Sequence, residues 1–200
     1  MMHKRIFKIV LAGAFITLGW MLPFVTGQIK EIGSMFLPMH LPIFVGGLML
    51  GPLYGAIIGL IVPITRSLIF GMPNFFPTAV SMSLELATYG FISGLFFNII
   101  FKNKRQNKGE LIAFSLISII IAMLIGRIVW GLSRMFFAMI PSQSAFPFSA
   151  FIAGAFINAW PGMVIQIIVI PLIILALNKQ IINDSIQDTQ LEEQNIDFIN

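Results

Sequence analysis

Residues 34–59 read SMFLPMHLPIFVGGLMLGPLYGAIIG, and the fold turns on how this stretch is understood. It is apolar almost throughout, yet Pro38, Pro42, Gly46, Gly47, Gly51, Pro52 and Gly55 interrupt it. A water-soluble amphipathic helix shows one apolar stripe, and a half-buried strand alternates residue by residue. This stretch does neither. It reads as an outer loop dipping toward a membrane, a short membrane helix, a tight turn at Gly51-Pro52 and the start of another helix. The other segments are expected to pack around that hairpin.

Composition supports the same solvent. Of 200 residues, 58% are hydrophobic and only 10% charged, against about 25% charged in soluble domains. Several long apolar runs point to a polytopic membrane protein. Backbone amides in lipid must be satisfied internally, so helices are the default spanning element, and the alternating ten-residue segments of a β-barrel are absent. The chain has no cysteine, which excludes disulfides, thiolate metal sites and a cysteine nucleophile. Its two histidines, His3 and His40, make a metal cluster improbable. No cofactor is called for. The net charge of +4 is gathered at helix ends, where it sets topology, and no basic stripe suggests nucleic acid.

The fold class expected is all-α, six transmembrane helices in a single bundle. Helix 1 covers residues 6–24, an uncleaved span despite its signal-peptide look, because more spans follow. Helices 2 to 6 cover residues 41–50, 54–70, 78–101, 111–140 and 149–177, with a kink at Pro63 and interruptions at Pro161-Gly162 and Pro171. Residues 1–178 thus form the membrane domain, and 179–200 a polar, acidic, disordered tail. Six spans put both termini on one side. His3, Lys4, Arg5, Lys8, the KNKRQNK loop at 102–108 and Lys179 all fall there, so the positive-inside rule makes that side cytoplasmic.

Away from the helix ends, Arg66, Glu85, Arg127 and Arg134 lie inside apolar helices. A charge at bilayer depth costs at least about 2.5 kcal/mol, so each needs a partner or a cavity. At 1.5 Å per residue, Glu85 lies roughly 10 Å below the outer end of helix 4. Arg66, Arg127, Asn158 and Trp160 also fall in outer halves. That asymmetry suggests a pocket opening outward and argues against a pore. Arg127, Trp130 and Arg134 share one face of helix 5, and Ser81, Glu85 and Tyr89 share one face of helix 4. A tryptophan between two arginines suits a small aromatic or carboxylated molecule. His40 in the first outer loop and Asn74 in the second complete the candidate contacts. Glu85 has two possible partners, Arg127 and Arg66, and such a pair would also hold helices together without any ligand. Arg134 is shallow enough to snorkel, and Trp20 is a candidate interface anchor. No catalytic arrangement and no phosphate-binding loop occurs, so uphill work would draw on a partner or an ion gradient.

The segments FLPMHLPIFVGGLMLGPLYGAIIGL, TRSLIFGMPNFFPTAVSMSLELATYG, IGRIVWG and FIAGAFINAWPG resemble the substrate-binding S components of energy-coupling factor (ECF) vitamin transporters, over residues 6–177. The resemblance implies a non-enzymatic subunit of a bacterial plasma membrane. It would capture a vitamin or precursor from outside, join a membrane T subunit and two cytoplasmic ATPases, and topple as ATP is hydrolysed. It also implies that residues 28–40, 72–77 and 141–147 cover the pocket. Helix 1 in that family often carries small residues four apart that face the T subunit. Here Ala12 is followed by Ile16, and Gly13 with Thr17 is the nearest small pair, so Ala12, Gly13 and Thr17 are the docking candidates. Two rival readings are a scaffold of cell-envelope machinery, in which the buried charges merely pair, and a solitary proton-coupled carrier.

Overall fold

A computed structural model of the chain describes residues 2–25, 35–101, 108–140 and 145–177. Among these residues there is no strand, and five helices are long and apolar enough to cross a membrane. The expected tail at 179–200, most of the basic loop at 102–108, and parts of the first and third outer loops lie outside the described residues.

Helix α1 is Met2–Val25. Only 17% of its apolar window is buried, so it stands at the edge of the bundle. Helix α2, His40–Leu50, has 11 residues and is roughly 16 Å long, about half of a hydrocarbon core. Nearly every residue of it is buried, Ile43 and Phe44 completely. A helix apolar on all sides is stable only with neighbours all round it, and α1, α3 and α4 supply them.

The α2–α3 corner is the turn expected at Gly51-Pro52. Gly51 adopts φ 96°, which L side chains rarely tolerate, and its N–H bonds to the Gly47 carbonyl at 3.0 Å. Pro52 opens α3, Pro52–Phe70, at a position whose N–H would have no helical partner anyway. The helix runs through Pro63 and stops at Gly71, φ 70°, a left-handed C-terminal glycine. A π-helical turn, Phe75–Ala79, then leads into α4, Val80–Phe101. The span from 75 to 99 is half buried, the largest share of the five, which makes α4 the central post. Helix α5 is Lys108–Phe137, starting three residues earlier than the sequence suggested.

Helix α6 occupies Phe148–Leu177. Its irregularity is a π turn at Ala153–Ile157 followed by turn residues 158–159, with regular helix resuming at Trp160. The interruption expected at Pro161-Gly162 therefore falls slightly earlier, because Pro161 sits in the first turn of the resumed helix, where a missing N–H is harmless. Pro171 does not break the helix. Gly162 has a packing role: a Cβ there would lie 2.6–2.7 Å from the backbone of Met35 and Phe36. That contact seats the segment leading into α2 directly on α6.

Trp20, a candidate interface anchor, instead ties helices. Its indole N–H donates to Thr65 Oγ1 at 3.0 Å, joining α1 to α3. The small residues of α1 divide between two faces. Gly19 is buried against Val62, whereas Gly13 and Thr17 are exposed and a Cβ at Gly13 would touch nothing within 4 Å. Ala12 is half-buried between those faces.

Candidate functional site

The site is built on the face of α4 that carries Ser81, Glu85 and Tyr89, spaced one turn apart and all buried. Glu85 is 1% exposed. Its Oε1 accepts a hydrogen bond from the Tyr89 hydroxyl at 2.7 Å and faces Arg127 Nη1 at 2.9 Å. His40 Nε2 stands 3.9 Å from the same oxygen, beyond hydrogen-bond reach. The choice left open by the sequence is thereby resolved: Arg127 pairs with Glu85, and Arg66 does not.

Local sequence explains how these groups meet. Gly126 precedes Arg127, and any side chain there would run into the Tyr89 ring. The glycine lets Tyr89 lie against the α5 backbone, which brings Arg127 to Glu85. Phe44 stacks on the other side of Tyr89 at 4.9 Å, and the His40 ring lies 5.5 Å away. His40 is placed by the hook before α2. Leu37 is held at φ 50°, a conformation costing about 1–3 kcal/mol in a non-glycine residue. Its carbonyl accepts from the His40 N–H at 3.0 Å and from Gln166 Nε2 at 3.2 Å. Gln166, 1% exposed on α6, thus fastens the hook. Neither helical spacing nor a charge marks it in the sequence. A lone amide in the run MVIQIIV was the available signal.

The cluster has more polar capacity than its members use among the described residues. Arg127 Nε and Nη2, both His40 ring nitrogens and Ser81 Oγ are buried without a hydrogen-bond partner. Each such group costs roughly 1–3 kcal/mol. Natural interiors carry few of them, and their concentration at one place needs a reason.

Further along α5, Trp130 is half-buried, edge-on to Phe146 at 5.6 Å and tilted against Phe151 at 6.4 Å. Arg134 lies over the Phe146 ring at 5.1 Å. The remaining candidates lie apart from this cluster. Arg66 bonds to the Met72 carbonyl and sits 5.7 Å from the rings of Phe24 and Phe70, tying the end of α3 to α1 and to the following turn. Asn74 and Asn158 are exposed, and both use their backbone to close π turns: Asn74 O accepts from Ala79 N, and Asn158 N donates to Ala153 O. Trp160 is 60% exposed. No group of three or more potential metal-ligating side chains occurs among the described residues.

Five long apolar helices around a charged, buried cluster define a multi-pass membrane protein with an internal polar site. The family model for the ECF transporter, substrate-specific component, matches residues 7–174. The chain belongs to this family, and is a transport subunit. No curated protein and no solved structure matched the chain.

Proposed function

We propose that the chain is the substrate-binding subunit of an ECF-type importer that takes a vitamin or vitamin precursor from outside a bacterial cell. It would span the plasma membrane six times, α2 included, with both termini cytoplasmic, and deliver its load by ATP-driven toppling with a T subunit and two ATPases. Substrate would be held by His40, Glu85, Tyr89 and Arg127, with Trp130 and Arg134 beside them. Residues 28–40, 72–77 and 141–147 would form the cover.

The observation that carries this reading is the unused polar capacity around Glu85 and Arg127. A scaffold whose buried charges only hold helices together would pair them with one another. Here Arg66 is engaged elsewhere and Arg127 retains two free donors. The test is to purify the protein from cells grown in rich medium, denature it and identify the released small molecules by mass spectrometry. A retained vitamin or precursor is the expected result. An empty protein that also shows no thermal shift with any vitamin of a broad panel refutes the reading. Uptake by this chain alone, in vesicles without the ATPases, would instead favour a solitary carrier.

A further inference from the structure

The way Glu85 holds Arg127 leaves one particular edge of the guanidinium unpaired. Glu85 engages Nη1. The free donors are Nε and Nη2, both buried and without partners. In a planar guanidinium these two lie on one edge, with their N–H bonds nearly parallel, the arrangement that grips a carboxylate through both its oxygens. Resting on the substrate-binding role proposed above, we infer that the substrate is a small planar-ring monocarboxylate: its carboxylate lies against the Nε–Nη2 edge of Arg127 and its ring against Trp130.

Three observations narrow the chemistry to this class. First, the edge offers two donors and no acceptor. A carboxylate supplies two acceptors, whereas a carboxamide supplies one acceptor and one donor, so the amide wastes a buried contact. Second, Arg127 is already matched by one carboxylate at 2.9 Å. Arg134, one turn beyond Trp130 on the same face and with its Nη1 unpartnered, can balance one ligand charge, not the two of a phosphate monoester. Third, Trp130 stands one helical turn along the same face, roughly 4.5 Å away along the axis. Its ring is backed by Phe146 and Phe151. Gly154 leaves room for it, since a Cβ there would lie 2.8 Å from Trp130 Cη2. An acid group joined directly to a ring, or through one or two atoms, spans that separation.

The purified protein in lipid nanodiscs tests this by calorimetry and by identification of the retained molecule. The probes are nicotinate and 4-aminobenzoate against nicotinamide and 4-aminobenzamide, with riboflavin and thiamine as vitamins lacking a carboxylate. The retained molecule is expected to be a ring acid. An acid is expected to bind at least 100-fold tighter than its amide. Arg127→Lys keeps the charge beside Glu85 and loses the fork, and is expected to weaken acid binding at least tenfold. If that variant does not fold, the acid–amide comparison on the unaltered protein decides. A retained molecule lacking either the ring or the carboxylate, or an acid that Arg127→Lys binds within threefold of the parent, overturns the inference and leaves the substrate-binding role standing. No retained molecule and no binding of any probe to the folded protein overturns that role, and the inference with it.

Discussion

Gly90→Ala provides a demanding test of the packing between α3 and α4. A Cβ at Gly90 would lie 2.8 Å from Gly55 Cα and nearer still to the Gly55 carbonyl. Carbon atoms in contact normally stand about 3.5–4.0 Å apart, and the obstacle is backbone, which no rotamer change can remove. The two helices must therefore part by about 1 Å. A gap of that size forfeits roughly a quarter to a half of the dispersion energy of the contacts it opens, and overpacking of this kind costs about 1–3 kcal/mol. The shift propagates, because a Cβ at Gly55 is itself only 2.6 Å from Gly47 Cα on α2. Against this, replacing a mid-helix glycine by alanine gains about 0.5–1 kcal/mol. The net expectation is a loss of about 1 kcal/mol, or roughly 2–4 °C in unfolding temperature for a chain of this size. Gly13→Ala is the control: the same chemical change in a helix, at a site with nothing within 4 Å, keeps the propensity gain and meets no clash. Thermal unfolding in detergent, followed by circular dichroism, should separate the two variants by roughly 2 kcal/mol. Coincident transitions would refute the close approach of Gly90 to Gly55.

Three further outcomes follow from the same geometry. Tyr89→Phe removes the hydroxyl that donates to Glu85 at 2.7 Å; loss of a hydrogen bond to a charged group should cost about 1.5–3 kcal/mol in the same unfolding assay. Arg127→Gln alone leaves Glu85 buried and unpaired and should cost about 3–5 kcal/mol, whereas the Glu85→Gln/Arg127→Gln double variant should recover much of that loss; equal destabilisation of single and double variants would show that the pair is not coupled. Gly13→Leu projects a large side chain from the exposed side of α1, and should reduce co-purification with the T subunit while moving stability by no more than about 0.5 kcal/mol.

What could be read from the sequence followed from local rules. The corner at Gly51-Pro52 was legible because glycine and proline have few other uses in an apolar run. The shared faces of Ser81, Glu85 and Tyr89, and of Arg127, Trp130 and Arg134, followed from helical spacing alone. The partner of Glu85 was not legible, because spacing within a helix says nothing about how two helices are rotated toward each other. That rotation is set by contacts between elements, here Gly126 against Tyr89. Arg66 escaped for the same reason: its place between Phe24 and Phe70 depends on where α1 lies. The π turns before α4 and within α6 also lay beyond the pattern, which carries no signal for a single wide turn. They leave Asn74 and Asn158 exposed, outside the cluster with which a loop position and a depth estimate, respectively, had grouped them.

The two ends of α2 divide the labour of the fold. At the Gly51 end, backbones of α2, α3 and α4 approach so closely at Gly47, Gly55 and Gly90 that no methyl group fits between them. Such contacts are stiff, since every relative movement changes many short distances at once. At the His40 end the chain is held differently. Leu37 sits in a strained conformation, and its carbonyl is fastened by the His40 N–H and by Gln166 from α6. Those two hydrogen bonds act together with the close seat of Met35 and Phe36 on Gly162. They fasten the segment that carries His40 toward Glu85.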